Sequence, residues 1–386
     1  MLHFKFAILS SVIPQIAVVA KEWNTPVTSS TTPTPSLVEP WPVLVPLVES
    51  TPPLVETQPP TITPDSSACF SNDTIALWFT DKESADEKYG PIGAWRICNL
   101  ESIDNFFEDK KNFNEELSDW KTGDITSMKG TFENAESFNG KVADWDTSRV
   151  KSMKGMFYNA RSFKRNINSW KTKNVETMES MFRDARSFNR SISRWDTGRV
   201  KNMFSMFRGA RSFNRDISGW ETGRCTTMKY MFRDAHSFNQ DISGWDLARV
   251  TTLTRMFDSA KLFNGNITMW DTSKVDDMEG MFQKASSFNQ DLSKWKVTRV
   301  TSIKNMFFNA TSFGLCLEWV LENATGTGGY NTFAGSAGII SEACNAGDNQ
   351  ARDNLASTLA SSASNNKYSL SVLIGSAIGV SAVFFF

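Results

Sequence analysis

Apolar residues recur along the middle of the chain at one fixed interval of 25 residues. Nine tryptophans keep this interval from Trp95 to Trp295, phenylalanine keeps it from Phe113, and the pair Met156-Phe157 reappears in the units that follow. A constant period of 20–50 residues is typical of a solenoid, in which each unit buries its apolar face only against its neighbours. The pattern predicts about nine units over residues 92–317, with the Trp, Met and Phe columns pointing inward.

Within one unit the apolar spacing predicts a short helix over 150–161. Val150, Met153 and Phe157 fall on one face of such a helix, and the preceding Asp-Thr-Ser segment at 146–148 supplies side-chain oxygens suited to capping its first amides. The stretch around Ile167 alternates polar and apolar residues, which predicts a minimal strand with only its middle residue buried.

An asparagine follows the repeated phenylalanine in most units. Examples are Asn139, Asn214 and Asn264. Stacked asparagines in a turn can bond successive backbone groups, which partly buried turns require. The sequence therefore predicts an asparagine ladder along the units.

The repeated unit, W-D-T-S-x-V-x-x-M-x-x-M-F-x-x-A-x-S-F-N-x-D-I-S-x, resembles that of the BspA-like leucine-rich-repeat surface proteins in their mycoplasma-lipoprotein-type form. The resemblance covers residues 92–320. It implies an α/β solenoid, a leucine-rich-repeat-like right-handed coil of about nine 25-residue units, each with a short helix and a minimal strand. It also implies an extracellular, surface-tethered protein that acts in adhesion and has no catalytic residues.

The two ends of the chain differ from the array in composition. An apolar run broken by Pro14 and ending in small residues is typical of a secretory signal peptide rather than a membrane anchor, and 11 of the 13 prolines then fall within 26–64, where they favour an extended spacer. The expected organisation is a signal peptide at 1–20, a Pro/Thr/Ser-rich disordered stalk at 21–65, an N-terminal cap at 66–98, the repeat solenoid at 92–317, a C-terminal cap at 311–345, a polar linker at 346–369 and an apolar anchor signal at 370–386.

The last 17 residues carry no charge, and small residues followed by a short polar stretch precede them. This is the layout of a glycosylphosphatidylinositol anchor signal. A single-pass helix is the alternative, which the absence of a following positive flank disfavours. The predicted location is the outer side of the cell surface.

Secretion accounts for the cysteines and for several sequons. We expect Cys69–Cys98 and Cys316–Cys344 disulfides in the two caps, a pairing that depends on proximity in sequence, and a buried free thiol at Cys225. The glycosylation candidates are Asn72, Asn266, Asn309 and Asn323; a fifth sequon, at Asn189, falls on the asparagine ladder.

Charge is strongly segregated although the net charge is −1. Residues 65–148 hold 8 Lys+Arg and 18 Asp+Glu, whereas residues 149–233 hold 20 and 6. Within the basic block nine arginines share three repeat positions: Arg161, Arg186 and Arg211; Arg183, Arg208 and Arg233; Arg165, Arg190 and Arg215. These columns predict an anion-binding face, since the guanidinium fork binds sulfate or carboxylate bidentately. A merely solvated charged face is the alternative.

The sequence has two histidines and contains no glycine-rich phosphate loop and no metal-ligand cluster. No motif therefore indicates an enzyme. We expect no catalysis, no cofactor and no metal, and nucleic acid does not fit the compartment. The predicted function is a surface binding or adhesion module for an anionic polysaccharide or a surface protein, with a membrane anchor. The alternative is a structural coat or spacer protein that self-associates through its oppositely charged segments.

Overall fold

The computed structural model describes residues 69–70, 72–324 and 331–340. The predicted signal peptide, the polar linker, the anchor signal and the stalk up to residue 65 lie outside these residues. So do the side chains of Cys69 and Asn72 and the whole of Cys344.

Two helices open the described region. Strand β1 (Cys69–Phe70) precedes helix α1 (Asn72–Thr80) and helix α2 (Lys82–Tyr89), and a single 3-10 turn (Ile92–Ala94) leads into strand β2 (Arg96–Ile97). Strands β1 and β2 are parallel neighbours.

Helix α1 covers the first repeat unit with aromatic rings. Trp78 meets Phe113 edge-on at 5.7 Å and Phe79 meets Phe107 edge-on at 6.1 Å. Edge-to-face contacts are a preferred arrangement for such rings, so the two helices close the apolar end that a terminal unit would otherwise expose.

From residue 99 to residue 323 the chain runs through nine consecutive 25-residue coils, counted within the described residues and numbered 1 to 9 from 99–123 to 299–323. Residues 25 apart are neighbours in space. Single-residue parallel bridges join Ser102 to Ser127, Ser127 to Ser152 and Ser152 to Thr177, and further bridges join the equivalent residues of later coils.

The predicted helix over 150–161 is wrong. Met153, Gly155 and Phe157 donate their amide hydrogens to carbonyls 24 residues later, at 3.1, 2.8 and 2.9 Å. The alternate amides, such as that of Tyr158, donate three residues back within the coil. Because every second amide belongs to the next coil, the four-residue hydrogen bonds of an α-helix cannot form.

Backbone conformation also interrupts a helix at two positions of each coil, four residues apart. These positions have positive φ, which an L-residue helix excludes: Asn105, Asp109, Gly130, Asn134, Gly155, Asn159, Ser180, Asp184, Ser205, Gly209, Tyr230, Asp234, Arg255, Ser259, Gly280, Lys284, Asn305 and Asn309. The apolar side chains keep the predicted inward direction, because a run of tight turns brings them to one side just as a helix would.

The minimal strand is also misplaced in the prediction. The parallel bridge lies at Ser152, not at Ile167. Ile167 is buried as predicted, but Asn166 accepts the amide of Asn168 at 3.0 Å, which makes a local turn. The predicted cap is wrong too, because no helix follows: Asp146 accepts the amide of Ser148 at 3.0 Å, and Thr147 binds the backbone of Lys171.

The predicted core columns are confirmed. Phe157 stacks on Phe182 at 5.7 Å with rings 7° apart, and Trp170 on Trp195 at 6.4 Å and 2°. All of these rings are at most 3% exposed. Each large apolar side chain buried in this way contributes about 1.5–3 kcal/mol.

Buried polar groups are satisfied by equally regular hydrogen bonds. The indole nitrogen of Trp170 donates to the carbonyl of Val142, 28 residues earlier, at 2.9 Å, and the other tryptophans between 120 and 295 do the same. The asparagine ladder is confirmed: Asn139 accepts the amide of residue 164, and Asn214 that of Asn239, both at 3.0 Å.

The last coil is covered by residues 331–340. Strand β3 (Cys316–Leu317) pairs in parallel with strand β4 (Ile339–Ile340), and Phe333 stacks on Phe307 at 5.2 Å.

Candidate functional site

The nine predicted arginines lie on coils 3 to 6 and divide between two surfaces. We call the arginines at the equivalents of residues 161 and 165 the outer arginine columns: Arg161, Arg186, Arg211, Arg165, Arg190 and Arg215. We call the surface formed by the equivalents of residues 152–159 the ladder face, because backbone hydrogen bonds there join one coil to the next. It is distinct from the asparagine ladder, which lies at the equivalents of residue 164. Arg183, Arg208 and Arg233 lie on the ladder face.

The first outer column is exposed on three adjacent coils. Arg161 forms an ion pair with Glu136 at 3.0 Å, and its Nε donates to Asn159 at 2.9 Å. Arg186 and Arg211 have no ion pair within the described part of the chain. The column continues with His236, whose pKa is lowered by burial and by the neighbouring charges of Lys261 and Arg211.

The second outer column is fixed by the backbone of the preceding coil. The Nε atoms of Arg190 and Arg215 donate to the carbonyls of Lys164 and Asn189 at 2.8 and 3.0 Å, and Arg165 does the same to the carbonyl of Asn139. This bond occupies only one of the five guanidinium donors. The terminal amino groups of Arg190 and Arg215 are thus held in place at exposed positions with their hydrogens available.

The third column of the predicted anion-binding face is only partly exposed. The Arg183 and Arg233 side chains are 27% and 28% exposed, because the ladder backbone and neighbouring rings cover their stems. Arg183 lies over the ring of Tyr158 at 4.8 Å, and Arg208 and Arg233 lie near the ring of Tyr230.

Arg208 has like charges on both sides. Burial lowers its pKa, and the positive charges of Arg183 and Arg233 lower it further, against a partial offset from Asp184 and Asp234. Arg233 by contrast lies 3.3 Å from a carboxylate oxygen of Asp258. Arg208 is therefore an arginine without an ion pair among the described residues.

Acidic groups occupy the ladder face on either side of the arginines. Asp258 is 2% exposed on its side chain, and burial is the main cause of its raised pKa. Glu133, two coils before Arg183, also has a raised pKa, caused first by burial and then by the charges of Glu108 and Asp109. The ladder face thus changes sign along the coils.

Sequence reasoning missed the tyrosines beside the arginines. Tyr158 occupies the repeat position of Arg183 in the preceding coil, and Tyr230 that of Ser205. Aligning the units position by position would have found both, because guanidinium groups and aromatic faces attract one another.

The remaining candidate residues are distributed along the coils. Cys98 and Cys316 are disulfide-bonded, but the predicted partners lie outside the described side chains, so the pairing stays a prediction. Cys225 is a buried free thiol whose pKa burial raises to about 11. Among the sequons, Asn266, Asn309 and Asn323 are exposed.

No group of three or more His, Cys, Asp or Glu side chains in the described ranges could hold a metal ion. Within the same ranges, no helix has the length and apolar character needed to cross a membrane.

The repeated coils match a known family model. The model described as "Mycoplasma protein of unknown function, DUF285" matches three times in tandem, at residues 75–192, 162–261 and 241–337. No curated protein matches the chain. Because the matches together cover well over half of the 386 residues, the chain belongs to the DUF285 repeat family.

Proposed function

We propose that this protein is a cell-surface binding module whose outer arginine columns hold an anionic polysaccharide. The observation that carries the proposal is the fixed orientation of Arg190 and Arg215, whose Nε atoms are bonded to the preceding coil while their amino groups stay exposed. A donor held in its binding orientation loses less conformational entropy when a ligand arrives.

The spacing of the coils suits a ligand with regularly repeated charges. Phe163, Phe188 and Phe213, which lie between the two outer columns in sequence, stack at 5.9 Å per coil. A sulfate or carboxylate on one guanidinium therefore has another guanidinium at a similar distance along the stack. Planar, bidentate recognition is what distinguishes arginine from lysine in such a site.

Few acids neutralise this surface. Residues 149–233 carry 20 basic and 6 acidic side chains, and Arg186 and Arg211 have no ion pair in the described region. Two arginines of the outer columns do have acidic partners: Arg161 pairs with Glu136 at 3.0 Å and Arg165 with Glu116 at 3.4 Å. Repulsion within a column does not favour folding, which supports a role in binding an anion.

The wider setting belongs to the same proposal and depends on the sequence. It comprises a right-handed solenoid of the leucine-rich-repeat type, secretion, a stalk, N-glycosylation, Cys69–Cys98 and Cys316–Cys344 disulfides, and a C-terminal lipid anchor or single helix. An anionic surface protein in place of the polysaccharide fits the same guanidinium chemistry.

The test is salt elution from immobilised heparin, a sulfated polysaccharide. Replacing Arg161, Arg186 and Arg211 by Ser should lower the salt concentration at which the protein elutes, because exposed charge contacts are screened over about 10 Å at 0.1 M salt. The stability should change by no more than about 0.5 kcal/mol per site.

A matched control removes the same charge elsewhere. Arg249, Lys274 and Arg299 are exposed, unpaired within the described residues and located on coils 7 to 9. Their triple Ser variant should elute like the wild type. Equal elution of all three proteins would contradict the proposal and favour the structural-coat function, to which the segregation of acidic and basic segments points.

A further inference from the structure

We propose that the ladder face of coils 1 to 5 is an interface between two copies of this chain, paired antiparallel about a twofold axis that runs along coil 3. This inference is independent of the outer arginine columns. The first observation is one column of the ladder face, which reads Glu108, Glu133, Tyr158, Arg183 and Arg208. When the same column of a second copy runs in the reverse order, each acidic residue of one copy lies opposite a basic residue of the other.

The twofold axis fixes which residues meet. An axis that lies in the interface and runs parallel to the coils reverses their order but keeps each column opposite itself. Glu108 of one copy then faces Arg208 of the other, Glu133 faces Arg183, and the two Tyr158 rings meet at the axis.

Most of these charges lack an ion-pair partner in the part of the chain that the structure describes. Glu108, Glu133 and Arg208 have no ion pair among the described residues, and Arg183 has only a 3.7 Å contact with Asp184. Like charges instead crowd each end of the column: Glu108 raises the pKa of Glu133, and Arg183 lowers that of Arg208. A reversed second copy relieves the repulsion at both ends at once.

A neighbouring column supports the same axis. Lys129 has no ion pair within the described ranges, and reversal about Lys154 places it opposite Glu179. Lys154 itself would meet its own copy, but its charge is already offset by Glu179 at 2.8 Å.

Small side chains allow the two faces to approach. The column beside the charged one reads Asn105, Gly130, Gly155, Ser180 and Ser205. In the next two coils the same position holds Tyr230 and Arg255, whose larger side chains would block a second backbone. The column of small residues therefore ends after coil 5, where the charge complementarity also ends.

The size of the face predicts a weak dimer. Five coils at roughly 5 Å per coil give a length of about 25 Å, so a face that buried the roughly 800 Å² per partner of a standard stable interface would have to be wider than it is long. A twofold pairing also closes with two copies, so it does not produce a coat.

The experiment is sedimentation velocity of the wild type and two charge reversals, Glu108→Arg and Arg208→Glu, over micromolar to millimolar concentrations. The wild type should dimerise with increasing concentration, and each variant alone should weaken dimerisation at least ~10-fold. An equimolar mixture of the two variants should dimerise again, because both cross-pairs are then of opposite charge.

The control Arg249→Glu, an exposed arginine on coil 7, should dimerise like the wild type. A wild type that stays monomeric throughout would overturn the proposal. So would single reversals that associate normally, or a mixture that stays as weak as its components. Because no glycan is present, the result is separate from that of heparin elution.

Discussion

Lys164 interrupts the asparagine ladder. Among coils 2 to 8, coil 3 is the only one without asparagine at this position. The amide of Lys164 binds the Asn139 side chain at 3.0 Å, so the ladder reaches this position. A lysine side chain has no acceptor to offer the next coil, and the amide of Asn189 has no hydrogen-bond partner within the described residues.

Replacing Lys164 by Asn should therefore stabilise the protein. The new side chain can accept the amide of Asn189, and a hydrogen bond of this kind contributes about 0.5–1.5 kcal/mol. The measurement is the free energy of unfolding from urea titration. Lys164→Ala is the control, which removes the same charge without adding an acceptor; equal stability of the two variants would show that the ladder bond contributes nothing there.

At the scale of the element, the run of turns in each coil depends on residues that tolerate positive φ. Gly155 has φ of 61°, and the atom nearest to an added Cβ is a carboxylate oxygen of Glu133 at 3.2 Å, the end of a flexible side chain. The main cost of a side chain at this position is therefore conformational.

Gly155→Ala should lower the free energy of unfolding by roughly 1–2 kcal/mol, because an L-residue disfavours the left-handed region by that amount. The reverse change one coil later, Ser180→Gly, should be neutral or stabilising, since Ser180 already adopts φ of 55°. Thermal or urea unfolding of both variants checks these two predictions. A Gly155→Ala variant as stable as the wild type would contradict the positive φ at this position.

The sequence predicted which side chains are buried better than it predicted the path of the backbone. Val150, Met153 and Phe157 are inward as expected, because burial follows from apolar spacing alone. The same spacing fits a helix and a run of turns, and only the recurrence of Gly, Asn, Asp or Ser four residues apart, as at Gly155 and Asn159, distinguishes them. The arginines of the candidate site show the same limit of prediction from repeat spacing.

The exposure of Arg161 was predictable from its polar neighbours, whereas the half-burial of Arg183 was not. Arg183 is covered because its part of the coil bonds directly to the next coil, and repeat spacing does not reveal which part does so. Its companion Tyr158 was missed for the same reason.

At the scale of the whole molecule, the backbone of each coil forms its hydrogen bonds outside the coil with the coils directly before and after it. Amide–carbonyl bonds between coils join residues about 24 apart in one direction and 25 or 26 apart in the other. An array of this kind tolerates the loss of one complete unit, because the remaining units still present matching surfaces.

Deleting residues 249–273, the whole of coil 7, should leave a folded protein with a modestly lower Tm. Deleting only 250–269 should abolish cooperative unfolding, since Trp, Met and Phe would then stack out of register. Circular dichroism during heating distinguishes the two, and similar melting of both deletions would contradict the coil-to-coil register.

The tryptophan column has an optical consequence. Successive indoles from Trp145 to Trp245 lie 6.4 Å apart within 4° of parallel, and each is at most 3% exposed. At such separations excitation absorbed by one ring passes to the next, so the ring that emits light need not be the ring that absorbed it. We expect excitation energy to move along the column by transfer between neighbouring indoles. A phenylalanine in place of one indole should divide the column into two shorter runs of indoles.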